Sequence, residues 1–230
     1  MTYTQSQLDK RLNDAIEQRS PSLDLSNLGL KAVPNPIRKL TELRILKLAQ
    51  NRLAQLPHWL GDLTGLTELW IGGNQLTQLP ESLGNLTNLT TLRFGNNRIT
   101  QLPDWIETLS KLTVLRFHKN KVAQLPEQLE NLTNLTDLWL GRNRITQLPD
   151  WLGNLTNLTD IDLSGSQLTE VPHWLTNLTN LTTLRLRNNR ITQLPDWLDN
   201  LTNLTTLSVD NNQLTQLPES LGNLTNLTTL

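Results

Sequence analysis

Leucines return along this chain at a fixed interval. Leu40, Leu63, Leu86, Leu109, Leu132, Leu155, Leu178, Leu201 and Leu224 lie 23 residues apart without a slip. The unit that begins at Leu86 reads LTNLTTLRFGNNRITQLPDWIET, and the shared template is LxxLxxLxLxxNxLxxLPxxLxx. A fixed period of this length marks a repeat architecture, in which one small packing unit is used many times. Inside the unit the LxL step has period two. In Leu46-Lys47-Leu48 the two leucines point inward and the lysine between them points out. A lone strand of this kind cannot bury both of its edges. Stacking the next unit beside it supplies the ladder hydrogen bonds and covers the leucines. The pattern therefore predicts an α/β solenoid with a parallel sheet along its inner wall.

The polar slots predict the turns. Asn51, Asn74, Asn97, Asn120, Asn143, Asn189 and Asn212 hold one position just past the strand, and Ser166 replaces them once. An asparagine side chain satisfies backbone groups that a turn leaves unpaired, so stacked turns predict a ladder of asparagines. Ser166 has a shorter reach, and its rung is expected to be the weakest. Pro57, Pro80, Pro103, Pro126, Pro149, Pro172, Pro195 and Pro218 fix φ and remove a donor where no ladder bond is needed. The stretch that follows, such as Pro103 to Thr108, is predicted to return along the outer wall as short helical or irregular turns. One unit buries too little apolar surface to offset the ordering of its own backbone. Stability then has to come from the interfaces between neighbouring units.

The two ends differ from the middle. Thr4 to Arg19 reads as one amphipathic helix, with Leu8, Leu12, Ala15 and Ile16 at helical spacing. Thr4 and Gln7 form a candidate capping box. The expected organisation is a capping helix over residues 1–19, covering a first strand at Leu23-Asp24-Leu25. Residues 20–230 then form the repeat domain, with one partial repeat, eight full repeats and the start of a ninth. At the other end Leu230 opens a further LxL step with no capping segment. This predicts that the chain is a piece of a longer protein, or that its last layer associates end to end with another copy.

Function has to be read from the exposed positions. The residue between the two strand leucines is, in order, Asp24, Lys47, Trp70, Arg93, Arg116, Trp139, Asp162, Arg185 and Ser208. Glu68, Asp137 and Asp160 fall in the column on one side of it. Gly72, Gly95, His118, Gly141, Ser164 and Arg187 fall in the column on the other. Trp70 and Trp139 bracket Arg93 and Arg116, and tryptophan and arginine are enriched where binding energy concentrates. The candidate partner-binding residues are Lys47, Trp70, Arg93, Arg116, His118, Trp139, Asp162 and Arg185. A basic middle beside an acidic strip suits a protein segment that is acidic or of mixed charge. The competing reading is that the rings lie flat and stack on the arginines, which decorates the wall without binding anything. Trp59, Trp105, Trp151, Trp174 and Trp197 sit in an LPxWL context and are expected to pad the outer wall against each other.

Composition narrows the choice of function. Among 230 residues the formal net charge is −1, without the basic excess of a duplex-DNA binder, so nucleic acid is not the expected partner. Cysteine is absent, which removes disulfides and thiolate metal sites and fits a reducing compartment. No apolar segment has the length of a membrane span and the start of the chain lacks a secretory signal, so a cytoplasmic location without membrane contact is expected. The recurring Asn-Leu-Thr triplets are formally glycosylation sequons, but they read as repeat residues. His58 and His173 hold equivalent slots far apart along the stack and cannot share a metal. No phosphate-binding loop is present. No cofactor and no catalytic set are expected.

These motifs resemble the leucine-rich-repeat family, whose units run about 20–29 residues. The likeness extends over residues 20 to 230 and implies a horseshoe with its parallel sheet on the concave face. The style of the repeat is similar to intracellular repeats of the Ras-associated kind. The opening LDLSNLGLKAVP is similar to the N-terminal region of cyanobacterial Roco proteins, in which repeats precede a GTPase domain. Two functions follow as expectations. One is a free-standing protein-interaction module. The other is the sensing segment of a larger signalling protein whose catalytic domains lie outside this chain.

Overall fold

A computed structural model of the chain describes residues 5–230. After a helix, α1 (Gln5–Glu17), nine short strands alternate with nine 3₁₀ turns among the described residues. The strands are β1 (Ser22–Asp24), β2 (Ile45–Lys47), β3 (Glu68–Trp70), β4 (Thr91–Arg93), β5 (Val114–Arg116), β6 (Asp137–Trp139), β7 (Asp160–Asp162), β8 (Thr183–Arg185) and β9 (Thr206–Ser208). They form one parallel sheet in chain order. Each residue pairs with the one 23 positions on, as Leu46 with Leu69 and Leu69 with Leu92. The array is the α/β solenoid expected from the repeat. Thr229 adds a single parallel bridge to Thr206 where a further strand would begin.

The inward leucines disappear into one continuous core. Leu46, Leu48, Leu69, Leu92, Leu115, Leu138 and Leu184 are fully buried. Phe94 and Phe117 replace leucine in adjacent layers and stack with ring centres 5.7 Å apart. Leu8, Leu12 and Ala15 of α1 are buried in the same core as Leu23, while Ile16 is partly buried. Arg11 donates to the carbonyl of Asp24 at 2.8 Å, tying the helix to β1. The helix is shorter than Arg19, which takes a positive φ of 48° just past its end. The expected Thr4 cap lies outside the described residues. Leu217 and Leu230, 47% and 58% exposed, leave an apolar layer open at the last repeat.

Each proline opens a 3₁₀ turn on the outer wall, as Pro103 does before Asp104–Thr108. Its carbonyl accepts from the amide three residues on, here Ile106 at 3.1 Å. The five LPxWL tryptophans pack on this wall against the core and the neighbouring turn. No two of their rings pair among the described residues, contrary to the expectation that they pad one another. Trp174 is the most buried, with 5% exposed. Its Cβ would lie 3.1 Å from a Cβ added at Gly153, so the glycine is what lets the turns close up.

Three hydrogen-bond ladders fix the register. The buried Asn97 accepts from the amide of Leu76 and donates to the carbonyls of Ile71 and Phe94, all at 3.0 Å. Asn51, Asn74, Asn120, Asn143, Asn189 and Asn212 each make the corresponding bonds. A threonine column that the sequence reading passed over makes the second ladder. Thr90 Oγ1 donates to the carbonyl of Thr67, and Thr113 Oγ1 to that of Thr90. The third uses sequon asparagines: Asn88, Asn134 and Asn157 donate to the carbonyls of Thr64, Ser110 and Thr133 in the preceding repeat.

Ser166 breaks the first ladder as expected, and the backbone changes with it. In regular repeats the residue before the asparagine is left-handed, as at Gln50, Asn96, Lys119 and Arg142. In the Ser166 repeat Gly165 and Gln167 are both left-handed, with φ of 64° and 58°. The one comparable place is the first repeat, where Leu28 holds the asparagine slot and Asn27 and Gly29 are both left-handed. The two repeats read LDLSNLGL and IDLSGSQL. In each the aspartate accepts from the serine amide two residues on, Ser26 to Asp24 at 2.9 Å and Ser164 to Asp162 at 2.8 Å. Gln167 also fails to make the backbone bond to Ile145 that Arg144 makes to Val122 and Arg190 to Leu168. A side chain held at positive φ costs about 1–2 kcal/mol. We predict that Ser166→Asn restores the rung and raises stability by about 1–3 kcal/mol in chemical denaturation. An unchanged or lowered midpoint would show that the serine turn is not the weak one.

Candidate functional site

Register brings the predicted residues into one row. Lys47, Trp70, Arg93, Arg116, Trp139, Asp162 and Arg185 are consecutive partners across β2 to β8. Neighbouring strands lie about 4.8 Å apart, close to a ring-stacking distance, so planar groups in one column must lie against each other. The Lys47 ammonium is 4.1 Å from the centre of the Trp70 ring, and the Arg93 guanidinium carbon is 4.3 Å from it. The Arg116 carbon sits 3.7 Å from the Trp139 ring centre, and that of Arg185 lies 4.9 Å away. Each tryptophan is therefore flanked by two cations. Such contacts contribute about 0.5–1 kcal/mol where exposed and about 2 or more where desolvated.

Carboxylates from the flanking column lock the stack. Trp70 Nε1 donates to Glu68 and Trp139 Nε1 to Asp160, both at 3.0 Å. Arg116 makes a two-pronged pair with Asp137, and Arg185 pairs with Asp160. The sequence reading set these aspartates apart as an acidic strip beside a basic middle. The signal that they join it was their offset of 21 residues from Arg116 and Trp139, one repeat less the two-residue step between same-face neighbours. Asp162 sits in the row, with one carboxylate oxygen held by the Ser164 amide.

His118 reaches the row from the next column. Its ring tilts against Trp139, with centres 5.4 Å apart. It also covers Gly95, where an added Cβ would lie 2.6 Å from the imidazole, so glycine is required beneath it. Burial pushes the His118 pKa below its ordinary value. Asp162 opposes that shift, and Lys119, Arg116 and Arg142 reinforce it. Its Nδ1 is buried with no hydrogen-bond partner among the described residues. The same is true of Arg93 Nε. Burial holds the Arg93 pKa below the ordinary arginine value and Arg116 adds to the shift, while Asp137 and Glu68 act the other way.

The surface is shallow. The hollow beside His118, Lys119, Arg142 and Arg187 is about 220 Å³, under the roughly 300–1,000 Å³ of small-molecule pockets. A wider groove of about 880 Å³ lies off this face, on the flank beside Ser166. Among the described residues no group of histidine and acidic side chains is placed to hold a metal, and no helix is long and apolar enough to cross a membrane.

A stack of parallel strands, asparagine turns and 3₁₀ returns on a period of 23 residues defines the leucine-rich-repeat class. Residues 69–162 and 138–230 match the family model described as a leucine-rich repeat region, and the chain belongs to that family. No curated protein matches it. Among solved structures it is similar to a leucine-rich-repeat protein of Leptospira interrogans, at 34% identity and a TM-score of 0.86 over 95% of this chain. It is also similar to the Arabidopsis receptor kinase HAESA, solved in complex with a peptide hormone and a co-receptor, at 32% identity and a TM-score of 0.80 over 90% of this chain. The chain spans 56% and 37% of those two chains. Repeats of this family commonly serve protein–protein interaction and present extended concave surfaces for it.

Because the fold favours neutral His118, the unfolded chain takes up its proton at higher pH than the native one. Stability is then undiminished above the ordinary value of 6.5 and falls as the pH drops below it. His118→Gln is expected to flatten the midpoint-against-pH curve in that window. A slope as steep as the parent's would place the acid sensitivity elsewhere.

Proposed function

We propose that the chain is a non-catalytic interaction module that binds a polypeptide on its concave face. The contact row is Lys47, Trp70, Arg93, Arg116, His118, Trp139, Asp162 and Arg185. The observation that carries this reading is the preformed sandwich of two tryptophans between cations. The rings are held by hydrogen bonds to Glu68 and Asp160, so little side-chain freedom remains to be lost on binding. Aromatic and arginine anchors held in place are the usual carriers of interface energy. The mixture of signs along the row favours an acidic or mixed-charge segment, with complementary charge setting specificity and encounter rate. HAESA, captured with a peptide hormone, supports a peptide or protein ligand in general. In this reading residues 1–19 cap the array and residues 20–230 form the binding domain. The open layer at Leu217 and Leu230 supports end-to-end association as a secondary property.

A second reading makes the array the sensing segment of a larger signalling protein, such as a Roco-type GTPase or a kinase. The receptor kinase among the similar structures favours it. Both readings use the same face.

Trp70 and Trp139 lie outside the leucine core, so replacing them is expected to spare the fold. Capture of a partner by the Trp70→Ala/Trp139→Ala double variant is predicted to fall at least tenfold, with an unchanged circular dichroism spectrum. Equal capture by parent and variant would remove the concave row from the binding surface.

A further inference from the structure

We propose that Arg93 is the anchor on this face for a side-chain carboxylate of the bound polypeptide, an inference that rests on the concave-face reading. Its charge is the one left uncompensated in the middle of the row. Arg116 is paired with Asp137, Arg185 with Asp160, and Arg187 with Asp210 at 2.7 Å. Glu68, on the strand next to Arg93, accepts from Trp70 Nε1. Arg93 forms no ion pair among the described residues, its Nε is buried without an acceptor, and its register neighbour is the like-charged Arg116. A buried donor left without an acceptor costs free energy, so an acceptor brought by a ligand recovers it.

The surroundings set the form of that acceptor. The Trp70 ring lies against the Arg93 guanidinium and fixes its plane. A carboxylate approaching edge-on accepts from Nε–H and one terminal N–H together, the two-pronged geometry that arginine favours. Gly72 and Gly95 place no side chain in the column beside it. The row continues on both sides of Arg93, to Lys47 one way and to Trp139 the other. A chain lying along it passes over Arg93 instead of ending there, so the carboxylate belongs to an aspartate or glutamate side chain.

The test uses the whole chain and a terminally blocked peptide of alternating glycine and glutamate, with its glutamine counterpart as control. Binding is followed by titration and by the ¹⁵N signal of Arg93 Nε–H. The glutamate peptide is expected to bind at least tenfold more tightly and to shift that signal. Arg93→Gln is expected to abolish the preference, Arg93→Lys to keep part of it, and Arg142→Gln, at an exposed cation on the neighbouring loop, to keep most of it. The proposal is overturned if the two peptides bind alike or not at all, if Arg93→Gln keeps the preference, or if Arg142→Gln loses as much. Any of these results alongside lost capture by the tryptophan double variant leaves the concave face as the binding surface and removes only the role of Arg93.

Discussion

The buried asparagine is the group on which the other features depend. Each one holds its own turn through the carbonyl three residues back and holds the preceding repeat through one amide and one carbonyl. Asn97 does this with Phe94, Leu76 and Ile71. A buried amide with all of these bonds made tolerates little displacement, because each lost bond leaves an unsatisfied group in the core. Successive repeats are thereby held at one strand spacing and one register. The leucine core alone is non-directional and would not hold that register. The Ser166 repeat shows what happens without the amide. A second residue turns left-handed, a backbone rung is lost, and an aspartate–serine turn takes over.

That register gives the concave face its properties. Residues that are unrelated in sequence become neighbours in a column at about 4.8 Å, and flat side chains in such a column must stack. Trp70 and Trp139 are therefore gripped between cations, and their indole N–H groups are held by Glu68 and Asp160. The polar face is rigid because the core beneath it is. Arg93 is the exception, since its position in the stack is determined but its charge is not matched within the face.

The fold could be read almost entirely from the chain. A template repeated every 23 residues allows one stacking solution, because period-two leucines need cover on both edges. The turns could be read as far as the asparagine slot was filled. The site was legible by membership and not by contacts. Trp70, Arg93, Arg116 and Trp139 could be placed in one row from spacing. The direction in which each side chain leans could not, so the aspartates were read as a separate strip. The threonine ladder was missed because threonine at a strand edge carries no pattern of its own until the carbonyl it reaches is known.

The sequence by itself determined the period, the inward leucines, the asparagine and proline slots, the odd rung at Ser166 and the identity of the residues on the concave row. All of these are local or translational properties, and a linear pattern encodes them directly. Only the tertiary structure decided which cation meets which ring, which carboxylate meets which cation, and that Arg93 and His118 each keep a buried nitrogen without a partner. Those outcomes depend on side-chain directions between neighbouring repeats, where several arrangements satisfy the same spacing and packing selects among them.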